Sequence, residues 1–477
     1  MNDFEDNIKK VMLVFLILLI TLISYITYSY MFRSEKILDS TFNRRTSAER
    51  NKVLRGTIYD KDMNALTKST KTGETSQKLE YLKGPVFAHA IGYMDTVYNL
   101  AGLEKKYDKE LMGAGDTAIP KFVFFSKDTE EKVGNGLRTT LDSKLQNKAY
   151  ELLKNTECKG AVVAMNPKTG EVLAMVSNPS YDPNNLEEDM KGLNADKEGT
   201  PLLNRATSGL YPPGSVFKTV PAISALENIT NVYNKGYQDN GKLVVNGTQL
   251  LTNYDGEVLG ELNLKSAYEH SSNVFFGSLG IDLGNKALKE TAEKFYFNKN
   301  IPSEGLTIEN SIFPSYKSYE KGNIAQSAIG QAGVLVTPMQ MALVASTVAN
   351  DGIMMQPMLV KEILDSKGKS LRKIEPKQLG EVTSKENAST MKDLMRGVVT
   401  EGTGGNAAVS GIEVSGKTGT ADHKADASAQ KGAHSWFTGF APYDNPEIVI
   451  SVIVEEGGVG GKKAAQVTRD LIESYLK

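Results

Sequence analysis

The chain is 477 residues long, enough for two or three domains. Its charged residues balance to a net charge of −2, which removes any bulk electrostatic case for nucleic-acid binding. Its one cysteine, Cys158, excludes an internal disulfide, so the fold must rest on its own packed core.

The stretch 11–32 (VMLVFLILLITLISYITYSYMF) carries no charge and is long enough to cross a bilayer as a helix. Tyr25, Tyr28 and Tyr30 crowd its far end, as in an interfacial aromatic belt. It ends in Tyr-Met-Phe-Arg rather than a small-residue cleavage site, so it reads as an uncleaved anchor. Lys9 and Lys10 assign residues 1–10 to a cytoplasmic tail and everything after about residue 33 to the outer side.

Residues 33–135 are polar and mixed, without a cluster of catalytic residue types, and read as a spacer domain. Within them Arg55-Gly-Thr-Ile-Tyr-Asp-Lys-Asp-Met-Asn-Ala-Leu66 has the pattern of strand, polar turn and return strand. Asn135-Gly136 offers a turn at the boundary, and residues 136–477 form the main domain. There the apolar spacing over 141–153 predicts a helix, and 160–176 reads as two apolar strands joined by a tight turn. A largely helical middle follows. Glu447-Ile-Val-Ile-Ser-Val-Ile-Val-Glu455 predicts another strand and 462–477 an amphipathic helix. Strands at both ends with helices between them predict an α+β or α/β domain whose sheet joins distant segments.

Three short motifs bear chemistry. Ser-x-x-Lys sets a hydroxyl and an amine one helical turn apart, and a desolvated lysine can take the serine proton. The pattern occurs at Ser215, Ser318, Ser366, Ser370, Ser389, Ser428 and Ser474, so spacing alone decides nothing. Only Ser215-Val-Phe-Lys218 follows a turn signal, Tyr211-Pro-Pro-Gly214, and runs into an apolar helix that would bury its lysine. Ser-x-Asn occurs once, at Ser271-Ser272-Asn273. In an irregular loop between helices its hydroxyl and carboxamide can face one cleft, and both residue types also suit a helix cap. Lys-Thr-Gly occurs at Lys71, Lys168 and Lys417; only Lys417-Thr418-Gly419-Thr420 edges a strand-like run followed by a second strand, Ser435-Trp-Phe-Thr-Gly-Phe440. Glycine there lets a ligand backbone approach closely.

In this order and context, the three motifs resemble the active-site elements of the penicillin-binding and serine β-lactamase superfamily. Arg55-Gly-Thr-Ile-Tyr-Asp60, Tyr211-Pro-Pro-Gly214, Gly330-Gln-Ala-Gly333 with Thr337-Pro338, and Trp436-Phe-Thr-Gly-Phe-Ala-Pro442 look like its class B, monofunctional penicillin-binding proteins. The resemblance implies an α+β transpeptidase domain over 136–477: an antiparallel sheet flanked by helices, with an all-helical subdomain. It implies a peptidoglycan D,D-transpeptidase in which Ser215 attacks the penultimate D-Ala carbonyl of a stem peptide and Lys218 takes its proton. The amides of Ser215 and Thr420 would form the oxyanion hole. Ser271, backed by Lys417, would relay a proton to the departing D-Ala. Asn273 would orient Lys218, and Thr418, Gly419 and Thr420 would bind the substrate carboxylate end. β-Lactams would acylate Ser215 and stay. No catalytic cofactor is implied, and a SEDS-type glycosyltransferase is the implied partner.

The loop after Thr420 departs from that pattern. Asp422, His423 and His434, with Asp426 as a fourth, could converge on one structural Zn²⁺ if the flanking strands pair; solvated surface histidines are the alternative. Other functions fit less well. A class A β-lactamase needs a deacylating glutamate after Ser-x-Asn, and Glu261-Leu-Asn263 lies before it. A β-lactam sensor would need a signalling domain where only ten residues precede the span. A D,D-carboxypeptidase and a non-catalytic scaffold of the wall-synthesis complex stay open.

Overall fold

The computed structural model describes residues 2–32, 50, 53–73, 76–95, 97–113, 132–245, 249–421 and 432–477. The N-terminal helix α1 (Asn2–Phe32) exposes its apolar side chains along its length. Its Phe4–Phe32 stretch is the one helix among the described residues long and apolar enough to cross a bilayer. The helix takes in residues 2–10 as well, so the basic tail continues it rather than preceding it.

The main domain is built on five antiparallel strands: β1 (Gly160–Met165), β2 (Val172–Asn178), β3 (Ser415–Ala421), β4 (His434–Ala441) and β5 (Ile448–Val454). Their order is β3-β4-β5-β1-β2, so the first and last strands of this sheet along the chain pair within it and β3 is an edge. The β1–β2 hairpin closes through a turn in which the Gly170 amide donates to the Asn166 carbonyl at 2.9 Å. All residues of β1 and β5 are buried, as in strands covered on both faces. Side chains alternate accordingly: Val449 and Ile453 join one core, Ile450 and Val452 the other.

The helices that frame the sheet and the cleft are α2 (Ser143–Lys154), α3 (Thr219–Asn228), α4 (Asn273–Lys294), α5 (Pro338–Ala349), α6 (Lys385–Thr400) and α7 (Lys463–Leu476). On one face α2 and α7 supply Leu145, Ala149, Leu153, Ala465 and Leu471 to the core. The Asp142 side chain starts α2 by accepting the Lys144 and Leu145 amides. On the other face lies α5, buried at every residue. Thr337 caps it and Pro338 opens it, the position where a missing amide hydrogen costs nothing. Beyond α5, helices α3, α4 and α6 pack into a helical lobe. That lobe also carries two short hairpins, Tyr237–Asp239 with Gly260–Leu262 and Lys242–Val245 with Gln249–Thr252.

The segment around Arg55 is tied to the main domain by a sheet. Ile58–Tyr59 runs parallel to Gly136–Thr139, which pairs with Val360–Leu364, itself paired with Ser370–Lys373. Asn135-Gly136, read from sequence as a turn, therefore leads into a strand. Arg55 is buried and donates to Glu104 and Asp108, which anchors the start of this module.

Candidate active site

Ser215 stands at the lip of a tight turn. Gly214–Lys218 forms a 3₁₀ turn that runs directly into α3. The turn is held from three sides. Tyr211 and Val336 exchange backbone hydrogen bonds at 3.0 and 2.8 Å, the Gly214 amide donates to the Gly330 carbonyl at 3.1 Å, and the Trp436 indole donates to the Pro212 carbonyl at 3.1 Å. Glycine is required where β3 meets this turn. A Cβ on Gly214 would lie 2.5 Å from the Thr420 carbonyl oxygen, and one on Gly419 would lie 2.9 Å from Val216 and 3.0 Å from the Pro213 carbonyl oxygen. The Lys-Thr-Gly strand thus lies against the backbone that carries Ser215.

Lys218 points inward and is fully buried. Its Nζ lies 2.8 Å from Asn273 Oδ1, 2.6 Å from the Ser271 carbonyl and 3.2 Å from Ser271 Oγ. The Phe276 ring sits 5.5 Å from it. Burial, aided by the charge of Lys417 and opposed by that of Asp239, pushes the Lys218 pKa well below the ordinary lysine range. Lys417 on β3 is buried too, its ammonium 3.3 Å from the Thr418 carbonyl and 5.5 Å from the Tyr268 ring centre. Burial lowers its pKa to about 7. Two buried lysines that shed protons easily lie around one serine turn, the environment that turns an amine into a base.

The Ser-x-Asn segment is an irregular link between the short helix Leu264–Glu269 and α4, with Ser271 at φ +60°. It is also a cap: Ser272 Oγ accepts the Phe275 amide at 2.9 Å. Asn273 Nδ2 donates to the Thr252 carbonyl at 3.0 Å, which leaves Oδ1 facing Lys218. The structure therefore brings Lys218, Ser271 and Asn273 into one hydrogen-bonded cluster, with Ser215 and the Lys417–Thr420 strand beside it.

Several partners of these residues carry no sequence signal. Thr403 Oγ1 lies 2.6 Å from Thr418 Oγ1, and the Gly460 amide donates to Thr420 Oγ1 at 3.1 Å. Asp239 and Asn253 hold the Ser-x-Asn segment from behind. Each belongs to a loop or short strand far away in sequence, and no local pattern marks it.

The metal reading meets only part of its residues. Asp422, His423 and Asp426 lie outside the described residues. His434 is on β4, opposite Ala421, buried, with its ring edge-on to Tyr211 and its Nδ1 accepting the Glu456 amide at 3.1 Å. Among the described residues no three His, Cys, Asp or Glu side chains converge as a metal site would require.

Residues 160–473 match the penicillin binding protein transpeptidase domain family, and residues 55–137 match the penicillin binding protein A dimerisation domain family. The chain is 32% identical over 417 residues to the peptidoglycan D,D-transpeptidase PbpA of Mycolicibacterium smegmatis, covering 83% of this chain and 84% of that protein. It is 30% identical over 465 residues to the peptidoglycan D,D-transpeptidase MrdA of Haemophilus influenzae, covering 84% and 69%. Its fold superposes on penicillin-binding protein A from M. tuberculosis, solved as a ceftriaxone acyl-enzyme, with a TM-score of 0.83 at 29% identity over 90% of this chain and all of that one. With the family match spanning most of the chain, it belongs to the penicillin-binding protein transpeptidases.

Proposed function

We infer that the chain is a peptidoglycan D,D-transpeptidase that works through an acyl-enzyme on Ser215 and is acylated there by β-lactams. One observation carries the assignment of residues: Lys218 is buried, poor at holding a proton, and bonded to Ser271 and Asn273 one turn from Ser215. Ser215 Oγ attacks the penultimate D-Ala carbonyl as its proton passes to Lys218 Nζ. The amides of Ser215 and Thr420 are well chosen to receive the oxyanion, because Gly214 lets β3 come against the turn. The C–N bond to the terminal D-Ala then breaks, and its nitrogen takes a proton through Ser271. Lys417 backs Ser271 in that relay, and Thr418 and Thr420 hold the terminal carboxylate. A neighbouring stem-peptide amine next attacks the Ser215 ester, losing a proton to Lys218, and the cross-link leaves with Ser215 restored.

The N-terminal helix supports single-pass anchoring. We place the catalytic domain on the outer face of the membrane, with a SEDS-type glycosyltransferase as the partner that supplies glycan. The structural zinc is kept as a proposal in which Asp422, His423 and His434 share the ion. The His434 Nδ1 already accepts the Glu456 amide and is not available to such an ion. Metal-free purified protein whose melting ignores chelator ends that proposal.

The functional assignment is tested by labelling with a fluorescent penicillin. Wild type should label and Ser215→Ala should not; equal labelling of the two overturns it. Product analysis with a muropeptide acceptor separates transfer from hydrolysis, and exclusive hydrolysis would make the enzyme a carboxypeptidase.

A further inference from the structure

The Ser-x-Asn segment holds a conformation that its own backbone resists. Ser271 sits at φ +60°, which is strained for a residue with a Cβ, yet its carbonyl stays 2.6 Å from Lys218 Nζ. What holds it lies behind the loop. Asp239, fully buried at the end of the short strand Tyr237–Asp239, receives four hydrogen bonds from neutral donors. They come from Ser272 Oγ at 2.6 Å, the Gly241 amide at 2.7 Å, and Asn253 Nδ2 at 3.0 and 2.9 Å.

Each of those partners passes the constraint on. Ser272 donates to Asp239 and accepts the Phe275 amide, so its hydroxyl is fixed at both ends. Asn253 has its amide group turned by Asp239, so its Oδ1 must accept the Asn273 and Val274 amides, at 2.8 and 3.1 Å. These would otherwise be unpaired donors in the first turn of α4. The residue before Asn253 supplies the carbonyl that orients the Asn273 side chain. The loop is pinned on one side by Lys218 and on the other by a network that converges on one carboxylate.

We propose that Asp239 is a positioning residue for acylation: through Ser272 and Asn253 it holds the Ser271 carbonyl and the Asn273 side-chain oxygen on Lys218. This rests on the assignment of Ser215 and Lys218 as nucleophile and base. The carboxylate has a second effect, because its charge reaches Lys218, which also feels Lys417, with Tyr268, bonded to Thr219, packed against Lys417. It is the negative charge that opposes the loss of the Lys218 proton.

The test is Asp239→Asn, read by the second-order rate constant for acylation by a fluorescent penicillin across pH, with melting measured alongside. An amide cannot accept all four bonds, so one donor meets another and the loop shifts. The rate constant should fall roughly tenfold or more at the plateau, the effect expected of sub-ångström misplacement. The acid limb should also move to lower pH, since Lys218 loses the charge that stabilises its protonated form. A role in folding alone would reduce only the fraction of labelled protein and leave the limb in place. An unchanged rate constant and limb in Asp239→Asn overturns the proposal. Should Asp239→Asn not fold, Ser272→Ala keeps the Asp239–Asn253 pair and must still slow acylation; wild-type rates there overturn it. Ser215→Ala is run in parallel: if it still labels, the nucleophile assignment fails independently of Asp239.

Discussion

Gly214 and Gly330 meet backbone to backbone: the Gly214 amide donates to the Gly330 carbonyl at 3.1 Å, and a Cβ on Gly330 would lie 2.2 Å from the Gly214 carbonyl oxygen. Gly330 also sits at φ +75°. Gly330→Ala must therefore adopt a strained conformation and push the Ser215 turn aside. Stability should drop by about 2–4 kcal/mol, and penicillin acylation should slow at least in step. Thermal melting and labelling kinetics check this; a variant that melts and labels like wild type would show that the turn tolerates displacement.

In the proposed mechanism Lys218 sets the pH dependence of acylation. Its folded-state pKa is below the ordinary lysine value, so the basic form accumulates as pH rises through that lowered value. The rate should rise with pH and level off well short of about 10.4, where a solvated lysine would still be protonated. Lys218→Arg stays charged at every accessible pH and should lose roughly a thousandfold in rate, within the usual range for removing a general base. A rate that keeps rising to pH 10 in wild type would assign the base elsewhere.

Thr403 controls the hydroxyl of Thr418, 2.6 Å away. Thr403→Val keeps the shape and removes that bond, about 1 kcal/mol of orientation. The non-covalent capture of a β-lactam should weaken about fivefold, with the acylation step itself little changed. Stopped-flow analysis that separates capture from acylation decides the matter; a loss confined to the acylation step would place Thr403 in the chemistry instead.

Beneath the nucleophile turn, Arg205 and the Tyr211 hydroxyl both donate to Glu455, at 2.8 and 2.7 Å. Burial alone would raise the Glu455 pKa, but Tyr211 and Arg205 outweigh it and hold it below the ordinary range. Its contribution to stability is thus complete above the usual glutamate pKa of about 4.3 and is lost as pH falls through the lower folded value. Arg205→Met leaves a buried carboxylate with one partner fewer and should cost about 3 kcal/mol or more near neutral pH. The acid side of its stability profile should flatten. Urea melts at several pH values test this, and an unchanged slope would mean that Arg205 does not set the Glu455 titration.

Much of the architecture was legible locally. The charge-free stretch, the two-strand pattern at 160–176, the strand at 447–455 and the closing helix depend on apolar periodicity, which a single segment displays by itself. The turn proposed at Asn135-Gly136 instead leads into the strand Gly136–Thr139, because that strand's partners lie at Ile58–Tyr59 and Val360–Leu364 and pairing across such distances leaves no local trace. The active-site motifs were legible for a similar reason. Ser215 and Lys218 share one turn, and Ser271 and Asn273 flank the Ser272 cap of α4, so their relation is encoded in spacing of two or three residues.

Sequence alone determined which groups could do the chemistry and in what order they occur along the chain. Among seven Ser-x-x-Lys matches, Ser215 was singled out by its Pro-Pro-Gly entry, its apolar helix, the single Ser-x-Asn and the one Lys-Thr-Gly that starts a strand pair. Only the folded chain decided how strongly those groups act. Lys218 is suited to act as a base because packing removes water from it and sets Lys417, Asp239, Ser271 and Asn273 around it. Thr403, Asn253 and Asp239 gained roles only when strands and loops far apart in sequence closed on the motifs. Desolvation and hydrogen-bond geometry belong to the whole packed neighbourhood, and no stretch of sequence carries them by itself.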